Sequence, residues 1–482
     1  MIKRVLQFGI VLLISLAGHY SFALSKGDTT TIVVLSVNDM HAKIDNFPRF
    51  QALVDDIRKE NENVLIFTAG DNFTGNPIVD QYPDQGFPMI DLMNSIDFTA
   101  GAIGNHEFDY GQETQGKRFA QANFPMLSAN ISSADPSGLN PPAYKIFTLK
   151  NGLKVGVLGL IQVNSSGIPD THPTKVTGVI FSDPLKKATE YRWLRDSCNI
   201  FIALTHLGYE TDIELAAIFP EPDLILGGHS HTLVSNPKEF NGVLIMQAGS
   251  NLKNLGKTTL QLVDGKVVNK KGEIISVIDY PRLDSAVYKR VEAFNDNPEL
   301  NRVIGTAKAD INGNDELGSM ITDGITAIAP LEVAFQNNGG IRIDNLNKGN
   351  ITMKDIYKLD PFGNEIIQFN LSVAEIKSLI LSAYKRENTL DLQVSGLQYT
   401  IIADTTNQKL DVELTMPDGS ICDENRVFVA GLSSYIASSY QFDHKDPGKS
   451  LYITTAQALI NLITERKEMN YAGVKRAFIK FR

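Results

Sequence analysis

The chain has little cysteine and little tryptophan. Its 482 residues include two cysteines, Cys198 and Cys422, and one tryptophan. Two cysteines this far apart exclude a disulfide framework as the main source of stability. They favour two buried thiols, and a single disulfide between them stays open as the alternative. The length exceeds what one hydrophobic core supports, so two or three domains are expected.

Positive charge is also scarce, with 45 lysines and arginines against 55 aspartates and glutamates and a net charge of −10. An acidic chain is a poor partner for a nucleic acid polymer, and we expect none. Long apolar runs are absent after the N-terminal segment. The sequence therefore predicts no membrane span once that segment is removed.

The N-terminal segment has the composition of an export signal. Lys3 and Arg4 are basic, Val5 to Ala17 is apolar and uncharged, and Ser21-Phe22-Ala23 supplies small residues at the cleavage position. We predict a secretory signal peptide over residues 1–23, and hence export to the periplasm or the extracellular space. Its removal makes the net charge more negative still.

Short β-branched and apolar runs alternate with polar, helix-capable segments from residue 28 to residue 280. Uninterrupted apolar strands are usually covered on both faces, which predicts a layered α/β or αββα domain. The predicted strands are Ile32–Val37, Val64–Thr68, Phe98–Ile103, Lys154–Ile161, Ile200–Thr205, Asp223–Leu226 and Val243–Gln247.

Polar side chains follow several of these predicted strands, and five of the eight histidines lie among them. Loops at the carboxyl ends of strands in an α/β sheet converge on one crevice, so these side chains are expected to meet. Oxygen and imidazole donors without cysteine suit Zn, Mn or Fe. The predicted metal ligands are Asp39, His41, Asp71, Asn105, His206, His229 and His231.

The donor set indicates two divalent ions. Asp39 and His41 lie two residues apart and can point to one face of an extended segment. Asp71 has two carboxylate oxygens, which suits a ligand that bridges two ions. Two divalent cations outweigh the two carboxylates and favour a phosphate-bearing substrate. Paired ions also lower the pKa of a bound water and stabilise an in-line displacement at phosphorus.

His106 stands next to a predicted ligand and three residues before Asp109. At that spacing, one helical turn places the carboxylate where it orients the imidazole and keeps it protonated. We predict that His106 stabilises charge on the phosphoryl oxygens or the leaving group. His172 and His444 have no partner in the sequence pattern and are interpreted as surface residues.

A helical linker and a second domain follow. Asp284-Ser285 is a candidate N-cap, and we predict a linker helix within residues 281–303. Residues 304–482 mix helical stripes with strands, and Ser372-x-x-Glu375 is a capping box. The predicted domains are thus residues 28–280 and 304–482.

The order of the motifs in the first domain resembles that of the calcineurin-like metallophosphoesterases. The motifs are Asp39-x-His41, Gly70-Asp71, Gly104-Asn105-His106-Glu107, Thr205-His206 and Gly228-His229-Ser230-His231. Three C-terminal motifs narrow the resemblance to the 5′-nucleotidase, UDP-sugar hydrolase and 2′,3′-cyclic phosphodiesterase family. They are Asn337-Asn338-Gly339-Gly340-Ile341-Arg342, Asp360-Pro361-Phe362-Gly363-Asn364 and Val394-Ser395-Gly396-Leu397.

The resemblance implies a four-layer αββα metallophosphoesterase domain, a helical linker and a smaller α/β nucleotide-binding domain. It implies that His106 and Asp109 form the catalytic dyad. It also divides the ligands between two ions, one held by Asp39, His41, Asp71 and His231 and the other by Asp71, Asn105, His206 and His229.

Substrate contacts are expected from the second domain. Arg342 follows two glycines and offers a planar fork suited to phosphate or ribose oxygens. The family's base-stacking motif is changed here, because Gly431-Leu432-Ser433-Ser434-Tyr435 stands in place of Gly-Gly-Asp-Gly-Phe. Tyr435, Tyr440 and Tyr399 are the alternative candidates for stacking on the base. The predicted substrate-binding residues are Arg342, Asn338, Gly340, Asn364, Tyr435 and Tyr440.

These features predict an exported enzyme that hydrolyses nucleoside 5′-monophosphates to nucleoside and phosphate, through attack by a metal-bound hydroxide. Hydrolysis of 2′,3′-cyclic nucleotides or UDP-sugars is the alternative within the same chemistry. An exported nucleotide-binding protein without catalysis is the alternative from another class. The sequence leaves the metal's identity and the oligomeric state open.

Overall fold

The structure, a computed structural model, describes residues 29–133, 135, 138–404 and 409–481. The predicted signal peptide over residues 1–23 lies outside the described residues. Among the helices of the described residues, none combines the length and the apolar character that a membrane crossing needs.

The N-terminal domain contains two six-stranded sheets. Its strands are β1 Thr29–Val37, β2 Val64–Thr68, β3 Ala100–Ala102, β4 Met126–Leu127, β5 Ile131–Ser133, β6 Tyr144–Thr148, β7 Lys154–Ile161, β8 Val179–Phe181, β9 Ile200–His206, β10 Leu224–Leu226, β11 Glu239–Phe240, β12 Val243–Met246, β13 Asn254–Val263 and β14 Lys266–Ser276. Its α-helices, with the one that follows, are α1 Phe47–Glu60, α2 Pro77–Asp80, α3 Phe87–Ile96, α4 Gln112–Gln121, α5 Pro184–Thr189, α6 Tyr209–Ile218 and α7 Ser285–Asn295.

Short 3₁₀ helices occur in both halves of the described chain. Their bounds are Ile44–Asn46, His106–Phe108, Pro173–Val176, Arg192–Ser197 and Asn338–Gly340.

The first sheet has the strand order β14-β13-β1-β2-β3-β4, and the second has the order β11-β12-β10-β9-β7-β6. Strands β1 to β4 run parallel to one another in the first sheet. Strands β7, β9, β10 and β12 do so in the second. Antiparallel strands lie at the edges of this parallel centre, as they do in many mixed sheets.

Alternation along each strand assigns its side chains to different layers. In β1, Ile32 and Val34 belong to the core between the two sheets, whereas Val33 and Leu35 pack outward on α1 and α3. Helices α5 and α6 cover the other sheet through a separate core that includes Phe201. Because successive side chains on a strand point to opposite faces of the sheet, each central strand is buried on both faces. The predicted αββα layering is confirmed.

Helix α7 follows the last strand of the first domain. The Asp284 carboxylate accepts hydrogen bonds from the amides of Ala286 and Val287, at 3.0 and 2.8 Å, and caps the helix. Val287 and Val291 are buried against the core of the first domain. The linking helix is therefore packed on the N-terminal domain.

The C-terminal domain is a second α/β unit. Its strands are β15 Val303–Ala307, β16 Ile311–Asn312, β17 Val333–Asn337, β18 Asn345–Leu346, β19 Gly349–Thr352, β20 Glu365–Ser372, β21 Leu392–Ser395, β22 Gln398–Asp404, β23 Lys409–Thr415, β24 Val427–Ser433, β25 Lys449–Thr454, β26 Glu468–Met469 and β27 Ala477–Phe481. Its α-helices are α8 Gly313–Thr326, α9 Met353–Leu359, α10 Val373–Glu387, α11 Ser434–Ser439 and α12 Thr455–Arg466.

A mixed sheet of order β21-β17-β24-β20-β25 forms the centre of this domain. Helix α10 packs on one face, while α8 and α12 pack on the other. The predicted capping box is present, because the Ser372 hydroxyl accepts from the Glu375 amide and the Glu375 carboxylate accepts from the Ser372 amide. Both cysteines are free thiols, Cys422 buried and Cys198 partly exposed.

We predict that Asp284→Ala weakens the start of α7 by about 1 kcal/mol, because two helix amides lose their acceptor. Hydrogen exchange of the amides in Ser285–Asn295 should accelerate about fivefold, which mass spectrometry measures on the corresponding peptide. Asp284→Asn keeps an accepting oxygen and is the matched control. Equal exchange in both variants would contradict the capping role.

Candidate metal centre and active site

The ends of the parallel strands bring the seven predicted ligands together. They form overlapping groups in which the donor atoms of each group lie within 4.8 Å of one another. Asp39, His41 and His231 make one group, Asp71, His206 and His229 make another, and His41, Asp71 and His106 make a third that overlaps both. Asn105 joins the second group, since its Oδ1 lies 3.1 Å from both His206 Nε2 and His229 Nδ1.

The backbone at this centre is unusual. Five of the seven predicted ligands have a positive φ, which non-glycine residues rarely adopt: Asp39 (48°), His41 (45°), Asp71 (52°), His229 (78°) and His231 (55°). Strained backbone of this kind is held in place by surrounding contacts and concentrates at functional sites.

Two glycines of the motifs allow the strand ends to approach each other. A Cβ on Gly70, whose φ is +89°, would lie 2.8 Å from both the amide nitrogen of Gly104 and Nδ1 of His206. A Cβ on Gly104 would lie 2.2 Å from Asp71 Oδ1. Neither position accepts a side chain without moving a predicted ligand.

The tautomers of two histidines direct lone pairs into the centre. His41 Nδ1 lies 3.0 Å from the Thr74 carbonyl and His206 Nδ1 lies 2.7 Å from the Ala69 carbonyl. A carbonyl oxygen only accepts, so both Nδ1 atoms carry protons and both Nε2 atoms face the centre, where a bound cation would take the place of a second proton. Burial, and then the charge of Arg342, lowers the pKa of His41, which keeps this ring neutral.

The donor atoms fit a pair of divalent cations. His41 Nε2 lies 3.0 Å from His231 Nε2, and His206 Nε2 lies 3.1 Å from Asp71 Oδ2. Asp71 lies between the two groups of ligands, since its carboxylate is close to His41 as well as to His206 and His229. Burial lowers the pKa of His206, but the Asp71 carboxylate outweighs it and raises that pKa to about 10. The centre therefore favours positive charge, in keeping with its nitrogen and oxygen donors.

His106 and Asp109 form a close pair beside this centre. His106 Nδ1 donates to Asp109 Oδ2 at 2.7 Å, across one turn that begins with the 3₁₀ helix. The backbone amide of His106 donates to Asp71 Oδ1 at 2.8 Å. Burial lowers the pKa of His106, but Asp109 and then Asp71 raise it, and the net shift is upward.

Glu107 has a structural part that its motif did not reveal. Its buried carboxylate accepts from the backbone amides of Asp71 (2.9 Å), Asn72 (2.7 Å) and Gly104 (2.7 Å), and from Asn72 Nδ2 at 2.9 Å. Burial and the charge of Asp71 raise the pKa of Glu107 to about 7, although the N–H donors oppose the shift. This carboxylate joins the loop after β2 to the loop after β3.

A second buried hydrogen-bond network holds the backbone segment that orients His41. The Tyr110 hydroxyl donates to Asp80 and accepts from the amide of Thr74 at 3.2 Å, while Asp80 also accepts from the amide of Gly75 at 3.0 Å. Thr74 provides the carbonyl that orients His41. Sequence reasoning missed Asp80 and Tyr110, because their partners lie far along the chain and carry no motif.

A cavity of about 630 Å³ opens between the metal centre and the C-terminal domain. Arg342 reaches across, and its Nη2 lies 3.4 Å from His41 Nε2. The Phe362 ring stacks on His106 with centroids 5.8 Å apart, and the Arg342 guanidinium lies 5.6 Å from the Phe362 centroid. Phe362 lies in the motif Asp360-Pro361-Phe362-Gly363-Asn364, but the sequence does not predict it as a site residue.

The predicted substrate-binding residues divide into two sets. Arg342, Gly340, Asn364 and Tyr435 line the cavity. Asn338 does not belong to the described lining, because its amide donates to the Leu390 carbonyl at 2.7 Å and its oxygen accepts from Gln393 at 3.0 Å. Its neighbour Asn337 lines the cavity instead.

The structure also gives the positions of Tyr440, Tyr399 and His172. Tyr440 is buried outside the described cavity lining, with its hydroxyl on Asp391. Tyr399 is a core residue that donates to the Leu392 carbonyl. His172, interpreted as a surface residue, is half-buried and lines the cavity. Its place depends on the long loop after β7, which no local pattern reveals.

Comparison with known proteins finds two families that match different parts of this chain. The calcineurin-like phosphoesterase family matches residues 32–233, and the 5′-nucleotidase C-terminal domain family matches residues 301–441. The endonuclease YhcR of Bacillus subtilis is 27% identical over 481 residues, covering 88% of this chain and 38% of that relative. The 5′-nucleotidase of Vibrio cholerae is 28% identical over 419 residues, covering 72% of this chain and 74% of the relative.

Among solved structures, the 5′-nucleotidase precursor of Thermus thermophilus is similar over 93% of this chain and 99% of its own, with a TM-score of 0.81 and 26% identity. The fold and the donor cluster place the chain in the metallophosphoesterase class. Within that class, the chain belongs to the calcineurin-like phosphoesterase family with a 5′-nucleotidase C-terminal domain. It spans less than half the length of the Bacillus relative.

We predict that Glu107→Gln lowers the free energy of unfolding of the N-terminal domain by about 1–3 kcal/mol, since the new amide group faces N–H donors and leaves one unsatisfied. Urea denaturation followed by circular dichroism measures the change. Glu113→Gln, on an exposed face of α4, is the matched control. A midpoint equal to that of the control would show that the Glu107 contacts are not needed.

Proposed function

We propose that this chain is an exported, two-metal phosphoesterase that releases phosphate from nucleoside 5′-monophosphates. The observation that carries the proposal is the convergence of seven donor side chains beside the His106–Asp109 pair, facing a cavity that both domains line. Export rests on the basic and apolar composition of residues 1–23.

In this proposal, one metal would be held by Asp39, His41, Asp71 and His231. The other would be held by Asp71, Asn105, His206 and His229. When bound, such a pair neutralises phosphate charge and lowers the pKa of a water molecule. The buried carboxylate of Asp71 is the one donor shared by both sets, which its two oxygens permit.

The hydrolysis adds water across the ester bond. A water oxygen bonds to phosphorus, the bond from phosphorus to the sugar oxygen breaks, and a proton passes to the nucleoside hydroxyl. Asp109 accepts from His106 Nδ1, and His106 Nε2 lies 4.0 Å from Asp71 Oδ2, on the side of the candidate metal centre, where it would donate to a phosphoryl oxygen or to the leaving group. Arg342 supplies a second donor close to His41.

We assign the nucleoside to the part of the cavity that the C-terminal domain lines. Phe362 and Tyr435 both line that space and offer aromatic faces to a base, a contact worth roughly 1–3 kcal/mol. Asn364 and Asn337 add amide groups for hydrogen bonds with the base or the sugar. The similarity to the Vibrio 5′-nucleotidase and the Thermus 5′-nucleotidase precursor supports a nucleotide as substrate.

We predict that removal of metal by a chelator abolishes phosphate release from AMP, and that added Mn or Zn restores it. Metal content after dialysis should approach two ions per chain, which elemental analysis measures. Reloading should also raise the free energy of unfolding, by about 2.7 kcal/mol at one hundred times the dissociation constant. A substrate panel of AMP, 2′,3′-cyclic AMP and UDP-glucose then separates the alternatives. Full activity in the metal-free protein would refute the proposal.

We predict that His106→Asn lowers kcat for AMP by about 10²–10⁴-fold, because a positioned proton donor is lost. Metal content should stay at the wild-type value, since His106 is outside the proposed ligand set. Steady-state kinetics and elemental analysis measure both. His444→Asn, an exposed histidine of the C-terminal domain, is the control and should leave kcat unchanged. A kcat within threefold of wild type would exclude His106 from the chemistry.

A further inference from the structure

A second, smaller cavity adjoins the first. Its volume is about 330 Å³, roughly ten times the share of one water molecule in the liquid. Thr171 and Tyr435 line both cavities, so the two spaces are neighbours on either side of these side chains. A ligand in the first cavity would reach the second by extending a further group past Tyr435.

The lining of the second cavity is polar. Ser165 and Ser166 contribute from the loop after β7, while Ser382, Ser438 and Ser439 contribute from α10 and α11. Hydroxyl groups donate and accept, and they suit the oxygens of a phosphate or a sugar. Arg386 is the one charged side chain in the described lining.

Arg386 is held in position by neighbours that leave its charge available. Its guanidinium lies 4.5 Å from the centroid of the Tyr440 ring, and its Nη1 donates to the Ser439 carbonyl at 3.4 Å. Both contacts orient a planar fork without neutralising it. Burial lowers the pKa of Arg386, but the surrounding groups raise it overall, so the side chain stays charged.

The nearest carboxylates have other donors. Asp391 accepts from the Tyr440 hydroxyl and from the amide of Asn338, and Asp170 accepts from Asn164 Nδ2 at 2.9 Å. No ion pair within 4.0 Å joins Arg386 to a carboxylate of the described side chains. An exposed guanidinium of this kind, beside the hydroxyl groups of the second cavity, is suited to an anionic ligand group.

We propose that the second cavity is a subsite for a second phosphate on the sugar of the substrate, with Arg386 as its main contact. The proposal rests on the proposed function, since it assumes that the first phosphate lies at the metal centre. With the first phosphate fixed there, a second phosphate attached to another sugar hydroxyl extends past Tyr435. The preferred substrate class is then a nucleoside bisphosphate, phosphorylated on both the 5′ and another sugar hydroxyl.

The test compares adenosine 3′,5′-bisphosphate with AMP, using metal-loaded protein and phosphate release from the 5′ position. We expect kcat/KM for the bisphosphate to exceed that for AMP by about tenfold or more, as a charge-assisted hydrogen bond allows. In Arg386→Gln the ratio of the two values should fall to about one. Arg386→Lys should retain part of the preference, because it keeps the charge but loses the fork.

Arg58→Gln is the matched control. Arg58 is also partly exposed and donates to a backbone carbonyl, that of Asp97, but it lies on α1. Its variant should keep the wild-type ratio. A ratio near one in the wild type, or an unchanged ratio in Arg386→Gln, would overturn the subsite.

Failure of the proposed function is distinguishable from failure of the subsite. If neither nucleotide releases phosphate, the hydrolytic proposal fails, and calorimetric titration of both nucleotides into the His106→Asn protein still decides about the subsite. Tighter binding of the bisphosphate by about tenfold, lost in the His106→Asn, Arg386→Gln double variant, supports it. Equal affinities for the two nucleotides overturn it.

Discussion

The geometry of the centre depends on one buried carboxylate. Glu107 binds the amides of Asp71, Asn72 and Gly104, and thereby fixes the distance between the ends of two neighbouring strands. Charge-assisted hydrogen bonds from several N–H groups offset the cost of removing a carboxylate from water. Asp71 is in turn held by the amide of His106. The position of the shared donor is thus set by backbone contacts, and the other donors are arranged around it.

The second domain completes the site through two loops that are joined to each other. The amide of Arg342 donates to the Leu359 carbonyl at 2.9 Å, which connects the loop after β17 to the loop before Phe362. Their side chains reach His41 and His106 together. A shift of the C-terminal domain would therefore move both contacts at once, and substrate access is coupled to the relation between the domains.

Local patterns in the sequence predict the strands well and long-range contacts poorly. Lys154–Ile161 forms a strand with the predicted bounds, because apolar runs between turn residues are a local signal. The ligand motifs were readable for the same reason, since each follows its own strand. The parts played by Phe362 and His172 were not readable, because they depend on how separate loops meet. Asn338 and Asn337 show a further limit, since one peptide unit decides which amide faces the cavity.

The left-handed backbone of His41, Asp71 and His231 has an evolutionary consequence. Each such residue costs roughly 1–3 kcal/mol relative to a relaxed conformation. Glycine at these positions would relieve that cost while removing a donor atom. Selection for stability alone would consequently favour glycine at these positions, so histidine and aspartate there indicate a requirement for their donor atoms.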